Sequence, residues 1–238
     1  MSKVLLAVSG HAGSGKDTVA DMLVREGFVK VALADPLKRI CFDVFNFTEA
    51  QLWGPSEERN KPDKRYIRMK RGELGVAETI LKNSEFVLER HPNPIEDVYL
   101  TPRYALQTLG TEWGRDCYKD VWIDYGLEVA QALMSGAGNY TALKGFEPHV
   151  EPDDIAGVVF SDIRFKNEFD KLRSIGGKII RIRRNNVTGT PAGGVVGHAS
   201  EEEQDEVDDS FFDAVIDNNG TMEELSAKVT EIHKRFAR

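Results

Sequence analysis

The chain is short of cysteine, of long apolar runs and of positive charge in excess, and each shortage closes a class of function. Cys41 and Cys117 are the two cysteines among 238 residues. They have no metal-ligand spacing and suggest no disulfide framework, so each is expected to serve as a small buried hydrophobe. The opening apolar run, Val4-Leu5-Leu6-Ala7-Val8, is far too short to span a membrane, and no charged-then-apolar leader precedes it. A cytoplasmic protein without membrane attachment is the expectation. Lys and Arg total 31 against 39 Asp and Glu, a net charge of −8. Nothing global therefore draws the chain to nucleic acid or to an anionic membrane, and basic residues at a phosphate site must be concentrated locally. Internal repeats are absent. Against these shortages stand 41% hydrophobic and 29% charged residues, the make-up of an ordinary globular chain with ample core for one large domain.

The most informative stretch is VLLAVSGHAGSGKDTVADML, from Val4 to Leu23. An apolar run fit for one buried parallel strand leads into Gly10, Gly13 and Gly15 and then Lys16. Val19, Met22 and Leu23 follow on one face at helical spacing. Strand, glycine-rich turn, lysine and helix form the layout of a phosphate-binding P-loop. Glycines let the backbone curl until several N–H groups face one cavity, and the helix adds its positive end. Lys16 reaches the β- and γ-phosphates as a point charge. The spacing G-x-x-x-x-G-K holds from Gly10 to Lys16, but Asp17 stands where Ser or Thr is usual, and Thr18 comes one place late. A plain glycine turn with Lys16 in solvent is the competing reading.

Further along, Phe28–Leu33 reads as a second strand and Asp35-Pro36 as a helix start, with Leu37, Ile40, Cys41, Val44 and Phe45 as that helix's apolar stripe. Thr48 caps a short segment carrying Leu52 and Trp53. Arg59, Lys61, Lys64, Arg65, Arg68, Lys70 and Arg71 crowd together, either as a solvated loop or as a binding place for a second phosphate. His91–Pro94 reads as a loop. Thr101-Pro102 starts a helix that Gly110 interrupts. Another begins near Asp120, with Val121, Trp122, Tyr125, Val129 and Leu133 inward; Trp113 and Trp122 are expected in the core. Ser135–Asp154 reads as a loop. Gly157–Phe160 is a third strand ending in Ser161-Asp162-Ile163-Arg164. It precedes a helix carrying Phe169, Leu172 and Ile175 that stops at Gly176-Gly177. Lys178–Ile182 is a fourth strand, Asn185–Ser200 a polar, glycine-rich segment, Glu201–Asp209 an acidic run and Ala214–Ile216 the last strand. Thr221 and Glu224 form a capping box for the final helix. Alternating strands and helices predict an α/β fold, a central parallel sheet of about five strands with helices on both faces. Ligands bind beyond the carboxyl ends of such strands, which gathers the glycine loop, Asp35–Lys38, Asp162–Arg164 and Asp217–Gly220 along one edge.

Read together, GHAGSGKDT, ADPLKR, RYALQTLGTEWGRDCYKDVW, SDIRFKNEFDKLRSIGGKIIRIRR, HASE and DAVIDNNGTMEEL resemble, in order, the motifs of phage deoxynucleoside monophosphate kinases. The resemblance is weakest across Gly54–Tyr99. Phosphomevalonate kinase of the animal type is similar at GKD, PLK, SDxR and the last Asn-x-Gly turn, and dephospho-CoA kinase at the P-loop and VIDNNGT. The LQTLGT helix and the His198 motif favour the nucleotide kinase. The resemblance implies one P-loop kinase domain over residues 1–238, a helical acceptor-side insertion over 48–100 and a mobile lid over 184–200. It implies ATP and a deoxynucleoside monophosphate as ligands and Mg²⁺ as cofactor, without nucleic acid or membrane; a homodimer stays open.

Roles follow from phosphoryl transfer, whose transition state mainly needs positioning and neutralisation. Gly10, Gly13, Ser14, Gly15 and Lys16 are expected to hold the ATP phosphates, with Asp17 or Thr18 at Mg²⁺. By resemblance Arg164 contacts the transferring or acceptor phosphate and Asp162 orients it or the metal shell; a structural Asp162–Arg164 ion pair is the alternative. Arg183 and Arg184 open the lid and close on ATP. Asn218 and Asn219 border the adenine, or simply form a helix-entry turn. Lys38, Arg59, Arg65, Gln107, Thr111, Arg115 and His198 are the acceptor-side candidates. A kinase of another small phosphorylated acceptor and a P-loop ATPase or switch protein are the competing functions.

Overall fold

The computed structural model describes residues 3–11, 13–67, 99–137, 155–185 and 207–236. The chain divides into two compact units, Met1–Pro36 with Gly114–Arg238, and Leu37–Trp113.

The first unit is built on β1 (Val4–Ser9), whose residues Leu6, Ala7 and Val8 have no exposed surface. Because side chains alternate along a strand, Leu5 and Ala7 enter one core and Leu6 and Val8 the other. Apolar residues on both faces of a strand demand cover on both sides. Beside β1 lie β2 (Phe28–Val31), β5 (Gly157–Phe160), β6 (Lys178–Arg183) and β7 (Ala214–Asp217), in the order β2-β5-β1-β6-β7. Every neighbouring pair in this sheet is parallel. Helix α1 (Lys16–Arg25) offers Val19, Met22 and Leu23, and α8 (Met222–Phe236) offers Leu225, Val229 and Ile232, to one face. Helix α6 (Val121–Met134) and α7 (Lys166–Ser174) cover the other with Ile123, Ala130, Leu133, Phe169 and Leu172. The expected parallel sheet of five strands with helices on both faces is therefore present. The final helix starts as read: Thr221 N–H donates to Glu224 Oε2 at 3.1 Å and Glu224 N–H to Thr221 Oγ1 at 3.3 Å.

The second unit has its own small core of Cys41, Phe47, Leu52 and Ala105. It holds most of α2 (Asp35–Phe45), then α3 (Glu49–Trp53), α4 (Ser56–Asn60), the antiparallel pair β3 (Asp63–Ile67) and β4 (Tyr99–Leu100), and α5 (Pro102–Thr108). Thr48 caps α3, with Gln51 N–H donating to Thr48 Oγ1, and Thr101 caps α5, with Pro102 at its first position. After α5 the chain widens into a π-helical segment, Leu109–Arg115.

Several expectations fail, each for a physical reason. Helix α6 buries Ile123, Gly126 and Ala130 along with the expected Leu133, while Trp122 and Val129 pack half-buried against the same core and Val121 and Tyr125 are only half-buried. A side chain on Gly126 would come within 2.4 Å of Leu33 and 3.1 Å of Phe160, so the helix approaches the sheet on its glycine. Trp113 is 55% exposed, because the π-helical segment turns Gly110 and Gly114 inward instead. Cys41 is buried but Cys117 is exposed. Ile175 follows the end of α7 and is largely exposed. Strand β2 stops at Val31, where the turn into α2 begins. Helix α4 falls within the stretch expected to be helical, but the β3–β4 pair departs from that expectation. The readings made on Arg68, Lys70, Arg71, His91–Pro94, 138–154 and 186–206 lie outside the described residues.

Candidate active site

The loop between β1 and α1 has the backbone that its glycines foretell. Gly10 takes φ +154°, and a Cβ there would stand 2.5 Å from the Ile182 carbonyl oxygen. Gly15, at φ +98°, caps α1 in the left-handed region that costs a side chain dearly. Inside the loop Ser14 N–H donates to the His11 carbonyl at 3.1 Å. Ser14 is 1% exposed and its hydroxyl has no hydrogen-bond partner among the described residues, a costly state that a ligand oxygen would relieve. Lys16 opens α1, is 9% exposed, and its Nζ lies 3.4 Å from the His11 carbonyl. A folded-over lysine, a helix N-terminus whose glycine cap offers no side chain and a buried hydroxyl together suit a polyphosphate.

Beyond β5, Asp162 accepts the backbone N–H groups of Leu33 and Ala34 at 2.8 and 2.9 Å. Its carboxylate thus fixes the turn from which Asp35 and α2 begin. Arg164 is half-buried, and its backbone is held from below by Glu168. Oε2 of Glu168 accepts Arg164 N–H at 2.8 Å and Phe165 N–H at 3.0 Å. Arg115 completes this knot: Nη1 lies 3.6 Å from Glu168 Oε1, Nη2 donates to Asn167 Oδ1 at 3.1 Å, and the guanidinium sits 3.5 Å from the centre of the Phe165 ring. Burial pushes the Glu168 carboxyl up to about 7, against the pull of the two backbone donors and of Arg115. Glu168 was not singled out in the sequence, although a Glu at the third position of a helix is a known capping signal.

Asn218 lies against the glycine loop. Its Nδ2 donates to the Ser14 carbonyl at 2.9 Å, and its own N–H to the Arg183 carbonyl at 2.7 Å. Asn219 Oδ1 accepts Asn185 N–H at 2.7 Å. Arg183 forms an ion pair with Asp209, while Arg184 is exposed.

Asp17 is 73% exposed in the first turn of α1, 3.7 Å from Lys30 Nζ, and Thr18 is half-buried beside it. No group of three or more His, Cys, Asp or Glu side chains that could hold a metal occurs among the described residues. Mg²⁺ bound with a nucleotide needs only one or two protein oxygens, a number that the exposed Asp17 carboxylate and the Thr18 hydroxyl could supply.

The remaining candidates divide between the units. Arg115 belongs to the first; Lys38, Arg59, Arg65, Gln107 and Thr111 belong to the second. Arg65 grips Asp63 through two bonds, Nε to Oδ1 at 2.9 Å and Nη2 to Oδ2 at 2.7 Å, and also donates to the Asn46 carbonyl. That guanidinium holds the Asp63 carboxyl down at about 2. Lys38 Nζ lies 5.4 Å from the Trp53 ring centre, close enough for a cation–π contact. Arg59, Gln107 and Thr111 are half-buried. His198 falls outside the described residues.

A protein of Acanthamoeba polyphaga mimivirus named as a deoxynucleotide monophosphate kinase is 30% identical over 227 residues, 95% of this chain and 94% of its own length. The chain belongs to the deoxynucleoside monophosphate kinase family. A second member, the deoxynucleoside-5′-monophosphate kinase of Escherichia phage T5, is 22% identical over 202 residues, 71% of this chain and 72% of its own. No family model matches. The crystal structure of TT1252 from Thermus thermophilus aligns over 99% of this chain and 98% of its own, at 14% identity and a TM-score of 0.33. As a member of this kinase family the protein is a phosphotransferase. No helix among the described residues is long and apolar enough to cross a membrane.

Proposed function

We propose that this kinase transfers the γ-phosphoryl group of ATP to a deoxynucleoside 5′-monophosphate, releasing the diphosphate and ADP. An oxygen of the acceptor phosphate bonds to Pγ while the bond from Pγ to the β–γ bridging oxygen breaks, and that oxygen leaves on ADP. The backbone of Gly13–Lys16 holds the donor phosphates, and Lys16 neutralises the charge that grows as the bond breaks. Arg164, on its short leash to Glu168, faces the transferring or acceptor phosphate. Magnesium supplies further neutralisation when bound with ATP, and Asp17 and Thr18 are the residues that would hold it. Arg183 and Arg184 lead into the segment 184–200, proposed as the lid. Lys38, Arg59, Gln107, Thr111 and residues 48–100 serve the acceptor, with Arg65 supporting them through Asp63. The observation that carries the reading is the buried, unpartnered Ser14 hydroxyl inside a glycine loop that opens α1 beside Lys16, in a chain related along 95% of its length to a protein named as such a kinase. The test is a coupled ADP-release assay with ATP and, in turn, dAMP, dGMP, dCMP, dTMP, phosphomevalonate and no acceptor. Turnover driven by at least one deoxynucleotide supports it. Turnover with phosphomevalonate alone, or hydrolysis that no acceptor accelerates, would overturn it in favour of another kinase or of an ATPase.

A further inference from the structure

The family resemblance places Asn218 beside the adenine, but its carboxamide is engaged with the glycine loop itself. We propose that Asn218 is a positioning residue of the phosphate cradle, holding the Ser14–Gly15 peptide so that the N–H groups at the start of α1 face the nucleotide phosphates. The inference rests on the nucleotide reading of that loop and deepens it.

Three observations carry it. First, Nδ2 of Asn218 donates to the Ser14 carbonyl at 2.9 Å, across 204 positions of sequence. A peptide unit is planar and trans, so its C=O and the following N–H point in opposite directions. Drawing the Ser14 carbonyl outward therefore turns the Gly15 N–H the other way. Second, a Cβ on Gly15 would stand 2.3 Å from Asn218 Nδ2. The carboxamide occupies the space that a side chain at position 15 would need, flush against the loop. Third, the turn that carries Asn218 is anchored on other sides. Asn218 N–H donates to the Arg183 carbonyl at 2.7 Å, Asn219 accepts Asn185 N–H at 2.7 Å, and Lys228 Nζ donates to the Asp217 carbonyl at 2.8 Å. A brace is useful only if its own footing is fixed, and this one stands on β6 and α8. The Ser14 hydroxyl, buried on the same residue without a hydrogen-bond partner among the described residues, is a polar atom that a ligand oxygen in the braced loop could satisfy.

The experiment uses the full chain with Asn218→Ala and Asn218→Leu, the latter keeping the volume but lacking a donor. ADP is titrated calorimetrically, adenosine is measured as a competitive inhibitor, and kcat/KM is compared for ATP and GTP. Amide exchange is followed across residues 10–18. The brace predicts that Kd for ADP rises about tenfold, that adenosine inhibition and the ATP-to-GTP preference hold, and that exchange at Gly15 and Lys16 quickens. If ADP and adenosine weaken together and the base preference shifts, Asn218 touches the adenine and the brace is wrong. Unchanged ADP affinity and exchange in a folded Asn218→Leu protein also overturns it. Should the unsubstituted protein bind no ADP, the kinase reading fails, while the exchange rates alone still decide whether Asn218 holds the loop.

Discussion

Asp162 and Leu33 meet through a carboxylate–amide hydrogen bond of 2.8 Å, and the second oxygen of Asp162 takes the Ala34 amide at 2.9 Å. The aspartate that ends β5 thereby sets the path by which β2 enters α2. Asparagine can accept only one of these two donors and must turn an N–H₂ towards the other. We expect Asp162→Asn to lose about 1–3 kcal/mol of stability and at least about tenfold in kcat. Urea unfolding and steady-state rates check this; a variant of full stability and reduced rate would show that Asp162 acts on the reacting groups alone.

Lys16 should matter most when the β–γ bond breaks. Lys16→Met is expected to lower kcat by about 10²-fold or more with little change in Tm. Near-normal turnover by the folded variant would remove the glycine loop from the mechanism.

Glu168 ties stability to pH. Its carboxyl is raised to about 7 in the folded protein, chiefly by burial. A raised pKa means that the native state holds the proton where the unfolded chain, titrating near 4.5, has lost it. This contribution is complete below about pH 4.5 and is lost as pH rises through about 7. Glu168→Gln carries no such titration. Denaturant midpoints at pH 5 and pH 8 should therefore fall further for the native sequence than for the glutamine variant. Parallel changes in the two proteins would mean that Arg115 and the backbone donors keep Glu168 ionised throughout.

Asp17 departs from the usual loop residue. A carboxylate in the first turn of a helix is favourable by roughly 0.3–1 kcal/mol in itself, and Lys30 lies near it. If it also holds the metal, Asp17→Ala will need more Mg²⁺ for half-maximal rate and will turn over more slowly at saturation, with Asp17→Ser recovering part of the rate. A Mg²⁺ titration at fixed ATP for all three proteins decides; identical curves would leave Asp17 with the helix only.

The sheet and the loop were legible because their signals are local. Val4–Val8 announces a strand buried on both faces, and the three glycines before Lys16 announce a backbone that only glycine adopts cheaply. The caps Thr48, Thr101 and Thr221 were equally plain. What escaped depends on partners far away in sequence. Nothing near Glu168 says that Arg115 will arrive above Phe165, and nothing near Asn218 says that it will meet Ser14. Trp113 misled because a large aromatic side chain suggests core, whereas it sits in a π-helical segment that leaves it 55% exposed. The pair β3–β4 escaped because its strands are short and its register shifts between Asp63 and Ile67.

Strand β1 is made first but sits in the middle of the sheet, between β5 and β6. Its partners, beginning with Gly157 and Lys178, lie roughly 150 residues downstream. During synthesis the ribosome therefore releases an apolar strand that has no neighbour until most of the chain has emerged. Contacts of such long sequence separation slow folding and leave the waiting strand open to association with other chains. The glycine loop after β1 waits longer still: its contact with Asn218 can form only once β7, the last strand of this sheet, and the turn behind it have arrived.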